Sequence, residues 1–177
     1  MKNIDFREMR IDECGKMKDI DPQHYIKNAW RLVDGKRQLV EIDYHEKSWP
    51  DGFERYYNEL IEIIKADGVA FGAFDSEEKL LGIATLKKQH FGKSAKYVLL
   101  DSMFVTYEKR GLGLGKALFN LCVEKSRDWN VDKIYICAGS AEDTIAFYKG
   151  IGCVDALEIN EKLYTDDPRD MQLEYIV

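Results

Sequence analysis

Residues 110–116 read Arg110-Gly111-Leu112-Gly113-Leu114-Gly115-Lys116, three glycines at alternate positions joining a strand-like apolar run to a strongly helical one. That junction suits an anion. Glycine lacks a Cβ, so its backbone can approach a ligand closely, and the helix that follows opens with unpaired N–H groups at the positive end of its dipole. Arg110 and Lys116 add positive charge at either edge. Two familiar phosphate motifs do not fit the spacing. A P-loop needs glycine where Arg110 stands and serine or threonine where Ala117 stands; a dinucleotide fingerprint read from Gly111 needs Gly or Ala where Lys116 stands. The pattern that fits is Arg-x-x-Gly-x-Gly, from Arg110 through Gly113 to Gly115.

Asp101 interrupts the apolar run Val98-Leu99-Leu100-Asp101-Ser102-Met103. A carboxylate among apolar side chains carries a desolvation cost that a function can justify; a solvated or hydrogen-bonded strand-edge carboxylate is the alternative. Tyr148 lies in a second compact motif, Thr144-Ile145-Ala146-Phe147-Tyr148-Lys149-Gly150-Ile151-Gly152. The cysteines, Cys14, Cys122, Cys137 and Cys153, form no Cys-x-x-Cys pair and no histidine spacing suited to zinc. They read as reduced, mostly buried thiols.

An α/β framework must hold these residues. Ile4, Phe6 and Met9 predict a first strand, with a helical stretch from about Asp12. Residues 21–50 read as irregular but carry His24, Tyr25, Trp30, Tyr44, His45 and Trp49, which either line a pocket or cover the core; residues 38–43 alternate as a short strand would. In residues 51–65, Phe53, Tyr56, Tyr57, Leu60, Ile61 and Ile64 recur at helical spacing. Residues 69–74 and 80–88 predict a hairpin around Asp75-Ser76-Glu77-Glu78, and the strand 96–105 feeds the glycine loop. Beyond the loop, Leu114, Ala117, Leu118, Leu121, Cys122 and Trp129 form one apolar stripe of a helix. A strand at 133–138 precedes Ser140 and Asp143, spaced as a capping box for a helix ending near Gly150 or Gly152. Residues 153–157 and 171–176 read as terminal strands joined by a polar loop containing Pro168.

The two glycine-bearing motifs, at their mutual spacing, resemble those of the GNAT superfamily of N-acetyltransferases. The first resembles that family's acetyl-CoA pyrophosphate loop, the second its Ala-Ile-x-Phe-Tyr-x-x-x-Gly segment, and the strand and helix order β-α-α-β-β-β-α-β-α-β-β agrees. The resemblance covers most of the chain, best over residues 69–155. It implies a GNAT fold in one domain, residues 1–177: a mixed, mostly antiparallel twisted sheet of about seven strands flanked by helices, with the family's strands 4 and 5 splayed to admit acetyl-CoA. It also implies that backbone groups of Met103, Phe104 and Val105 and the loop from Arg110 through Gly111, Leu112, Gly113, Leu114, Gly115 and Lys116 bind that co-substrate. A backbone N–H near Phe104 or Val105 would then stabilise the developing oxyanion, Tyr148 would protonate the departing thiolate, and no metal is needed. Asp101 occupies a position where some polyamine-acetylating members carry Glu, and is the candidate base; His45, Glu41 and His90 are alternatives.

The resemblance leaves two classes open, an N-acetyltransferase acting on a small amine, polyamine, antibiotic or peptide, and a noncatalytic acyl-CoA sensor. Composition narrows the partners. With 26 basic against 32 acidic residues the net charge is −6, which disfavours nucleic acid and anionic membranes and favours a cationic substrate. The amino terminus lacks the apolar run of a signal peptide and nowhere do eighteen apolar residues run together, so a cytoplasmic protein is expected. A homodimer stays open.

Overall fold

The computed structural model describes residues 3–177. Seven strands form one sheet: β1 (Asp5–Glu8), β4 (Val69–Phe74), β5 (Leu80–Phe91), β6 (Tyr97–Val105), β7 (Lys133–Ala138), β8 (Val154–Asp155) and β9 (Met171–Ile176), in the order β1-β4-β5-β6-β7-β9-β8. β2 (His24–Val33) and β3 (Lys36–Glu46) make a separate hairpin. Neighbours in the sheet are antiparallel except β6 and β7, which run parallel. This is the mixed, mostly antiparallel α/β sheet expected of a GNAT fold.

Both faces of the sheet are covered. Every residue of β4 is buried, and its alternating side chains divide between two cores. Val69, Phe71 and Ala73 meet Leu118, Phe119 and Cys122 of α2 (Leu114–Asp128). Ala70 and Phe74 meet Cys14 and Met17 of a 3-10 segment (Ile11–Asp19) and Leu60 of α1 (Phe53–Lys65). The aromatic and aliphatic stripe of α1 packs there as its spacing predicted. No helix among the described residues is long and apolar enough to cross a membrane.

The sheet opens at one end. β6 pairs with β7 only from Tyr97–Lys133 to Leu100–Ile136, so residues 101–105 continue bonded to β5 alone. Leu86 pairs with Leu100 while Thr85 pairs with Ser102, which makes Asp101 the extra residue of a bulge, the kind of irregularity that bends a strand away from its neighbour. β6 and β7 stand where the resemblance expects strands 4 and 5, and they part here.

Three expectations need correction. Residues 21–50 are not irregular: β2 and β3 pair along most of their length. Their turn is Asp34-Gly35, at φ +49° and +74°, between paired Val33 and Lys36. That is the left-handed pair a two-residue hairpin requires. The capping box at Ser140 and Asp143 does not form. Ala141 is the N-cap of α3 (Glu142–Gly150), with no side-chain cap bond, because both residues are engaged with the hairpin instead. The terminal strand shrinks to Val154–Asp155, and the polar loop after it contains α4 (Glu161–Asp166), capped by Asn160, whose side chain accepts from the Leu163 N–H at 3.2 Å.

Candidate active site

The glycine loop turns through Gly111 and Gly113, at φ +74° and +87°, a region that L side chains rarely adopt. Gly113 is the N-cap of α2 and brings no side chain to its first amides. The Ala117 N–H donates to the Gly113 carbonyl at 3.1 Å, so the amides of Leu114, Gly115 and Lys116 precede the first full helical bond and face outward. Gly115 serves packing: a Cβ there would lie 3.3 Å from the Phe147 ring, so its absence lets α2 approach α3. Leu112 and Lys116 are exposed at the loop surface.

Arg110 lines the cleft at the start of the loop, and its guanidinium also holds backbone. Its Nε donates to the Val105 carbonyl at 3.0 Å and an Nη to the Pro22 carbonyl at 3.1 Å. The guanidinium therefore braces the end of β6 and the entry to the hairpin beneath the loop. Burial draws its pKa down, opposed by the charges of Asp143 and Asp21.

The register of β6 decides which backbone groups meet the gap. The Thr106 N–H donates to the Leu81 carbonyl at 2.8 Å, and in an antiparallel pair every second residue turns both polar groups toward the same neighbour. Phe104, opposite Ile83, therefore bonds into β5. Met103 and Val105 turn toward the gap. This separates Phe104 from the other two residues grouped with it by resemblance: its ring packs 4.7 Å from Trp49 and 5.0 Å from Tyr56, centroid to centroid.

A cleft of about 1430 Å³ runs from the α2 N-terminus along this gap and reaches residues 166–170. Tyr148 lines it, though its ring is buried against Phe119 and Phe147. Among the described residues no buried side-chain polar atom lacks a partner, and no protein group bonds the Tyr148 hydroxyl, so that hydroxyl meets the cleft. Burial raises its pKa well above the ordinary tyrosine value, which keeps it a proton carrier at neutral pH.

Asp101 also lines the cleft. Its side chain is 15% exposed and accepts from Lys87 Nζ at 2.8 Å; Lys87 pairs with Glu59 of α1 as well. Burial pushes the Asp101 carboxyl up while Lys87 pulls against it. Glu41, His45 and His90 are exposed and do not line the cleft. Sequence reasoning passed over Lys87 and Asp170, which do. Lys87 follows an unbroken run of buried β5 residues with no alternation to mark it; Asp170 had no signal beyond its place in the polar loop.

The hairpin closes one side of the cleft. The Trp30 N–H donates to the Ser140 carbonyl at 2.8 Å, Arg31 donates to Ser140 Oγ at 2.6 Å, and His24 Nε2 meets Asp143 at 2.8 Å. These contacts carry β2 across the α3 N-terminus.

The model of the acetyltransferase (GNAT) family matches residues 37–153. No curated protein sequence matches the chain. Among solved structures, nourseothricin acetyltransferase superposes with TM-score 0.72 at 18% identity, covering 98% of this chain and 96% of that one. A protein assigned as a streptothricin acetyltransferase from Bacillus anthracis str. Ames, solved with acetyl coenzyme A, gives 0.69 at 18% identity, covering 97% and 95%. The PaiA N-acetyltransferase of Thermoplasma acidophilum, solved with coenzyme A, gives 0.59 at 14%, covering 99% and 100%. At such identities these likenesses speak to the fold. The match over residues 37–153 speaks to the family: the chain is a member of the acetyltransferase (GNAT) family.

Proposed function

We propose that the protein moves an acetyl group from acetyl-CoA directly to a primary amine, both held at once in the cleft. The observation that carries this reading is the alignment of an uncapped, glycine-turned helix N-terminus with an opened strand gap in one cleft. These residues fit acetyl-CoA. The outward amides of α2 suit a diphosphate, and the gap-facing backbone of Met103 and Val105 suits an extended amide-bearing arm. The co-substrate supplies an activated acyl thioester; the chain orients it, excludes water and handles protons. The Val105 carbonyl is engaged by Arg110, which leaves the Met103 and Val105 N–H groups to stabilise charge developing on the thioester oxygen. Tyr148 donates to the sulfur as it leaves.

Beyond the helix N-terminus the lining includes Asp51, Glu59, Asp101, Asp166, Asp167 and Asp170, against Arg55, Lys87 and Arg169. That balance favours a cationic acceptor. Two fold relatives are named for acetylating nourseothricin and streptothricin, in line with an amine-bearing small molecule here. A panel of spermidine, aminoglycosides and lysine peptides, assayed for CoA release, tests the reading. Release should depend on the amine. Tight acetyl-CoA binding with no amine-dependent release would make the protein a sensor instead.

A further inference from the structure

We propose that Asp170 takes the proton from the acceptor ammonium before attack, an assignment that rests on the acetyl-transfer reading above. Its position comes from the sheet. Met171 pairs with Ala138, the last residue of β7, so Asp170 lies one step past the end of that strand, where β6 and β7 have already parted. It lines the cleft, and its charge acts on Cys137 of β7, Tyr56 of α1 and Tyr148 of α3. Its charge thus reaches titratable groups on three elements around the gap.

A base also needs an uncommitted oxygen. Among the described residues no group donates to the Asp170 carboxylate: its neighbour Arg169 bonds Asp167 at 3.2 Å, and its own N–H donates to the Asp167 carbonyl at 3.1 Å. Asp101 is already bound by Lys87, so proton uptake there would break a half-buried ion pair. The charged groups facing Asp170 are Asp167 and Arg169 in its own loop and Arg55 on α1. Burial and then Asp167 push its carboxyl up to about 6, with Arg169 and Arg55 opposing. A carboxylate of that kind is ionised at neutral pH yet basic enough to accept a proton.

The step balances. The ammonium gives one proton to Asp170, and the freed lone pair forms the N–C bond as the C–S bond breaks. The sulfur takes the electron pair and a proton from Tyr148. The nitrogen sheds a second proton, which replenishes Tyr148, and Asp170 returns its proton to solvent.

The test uses the best amine from the panel with wild type, Asp170→Asn and Asp170→Glu. Wild-type kcat/KM should fall on the acid side with an apparent pKa near 6. Asp170→Asn should lose on the order of a hundredfold at pH 7 and lose that acid limb, with acetyl-CoA affinity and Tm little changed. Asp170→Glu keeps a carboxylate and should recover part of the rate. Carbon-13 NMR, assigned by difference against Asp170→Asn, should show the Asp170 carboxyl titrating near pH 6. A carboxyl titrating in the ordinary aspartate range, or an Asn variant within a fewfold of wild type, would overturn the proposal while leaving acetyl transfer standing. Wild type that binds acetyl-CoA but turns over no amine would overturn both.

Discussion

In the proposed reaction Tyr148 concentrates the chemistry in one hydroxyl. The ring packs edge-on against Phe119 and Phe147, and burial holds the phenol protonated through the neutral range. Tyr148→Phe keeps those apolar contacts and removes only the donor. Acetyl-CoA affinity and Tm should hold, while kcat should fall on the order of a hundredfold; an unchanged kcat would assign the sulfur's proton to solvent. Glu13 shows the opposite case, a buried group held charged, used for stability. It accepts two bonds from Arg7, at 2.7 and 2.9 Å, and one from the Arg10 N–H at 2.9 Å. Arg7 above all holds its carboxyl down to about 2. A depressed folded-state pKa contributes stability above the unfolded value, lost as pH falls through the folded one. Glu13→Gln should therefore cost on the order of 2 kcal/mol at pH 7. The gap to wild type should close between about pH 4.5 and 2, as chemical denaturation at several pH values would show.

At the scale of elements, the glycine turn and α2 form the unit most open to a single change. Gly113 is the left-handed N-cap of α2, so Gly113→Asp sets a carboxylate where the proposed co-substrate's diphosphate would lie. The strain of a non-glycine residue there costs about 1 kcal/mol, too little to unfold the chain. Calorimetry should show acetyl-CoA binding lost while circular dichroism stays native; equal binding would dismiss the loop as the anion site. This element was legible in sequence because its signals are local: glycines, then a helical stripe. The β2–β3 hairpin was less so. Its strands expose both faces for much of their length, so alternation showed only over residues 38–43, inside β3, although Asp34-Gly35 is a hairpin turn signal in its own right. Ser140 and Asp143 misled for a related reason. Their spacing suits a cap, but a hairpin distant in sequence offers Arg31 and His24 as partners, and tertiary bonds prevail over the local motif.

The whole molecule turns sequence-level charge into geometry. A net charge of −6 does not say where a cation would bind; the fold brings Asp51 before α1, Glu59 of α1, Asp101 of β6 and Asp170 before β9 to one cleft, where the proposed cationic acceptor would sit. Asp101 could be singled out because it breaks an apolar run. Asp170 could not, since in a loop with Asp166 and Asp167 one more carboxylate is ordinary until β9 carries it to the gap. The splay of β6 from β7 was likewise invisible to local pattern and came from family resemblance alone. Its physical signature, the bulge at Asp101, depends on pairing with β5. Direct transfer requires this cleft to hold both substrates at once. Initial rates of CoA release, with acetyl-CoA and the best amine both varied, decide whether it does. Double-reciprocal lines should intersect, as a ternary complex requires, with no acetylated protein seen by mass spectrometry when amine is withheld. Parallel lines together with a stoichiometric acetyl-enzyme would contradict it.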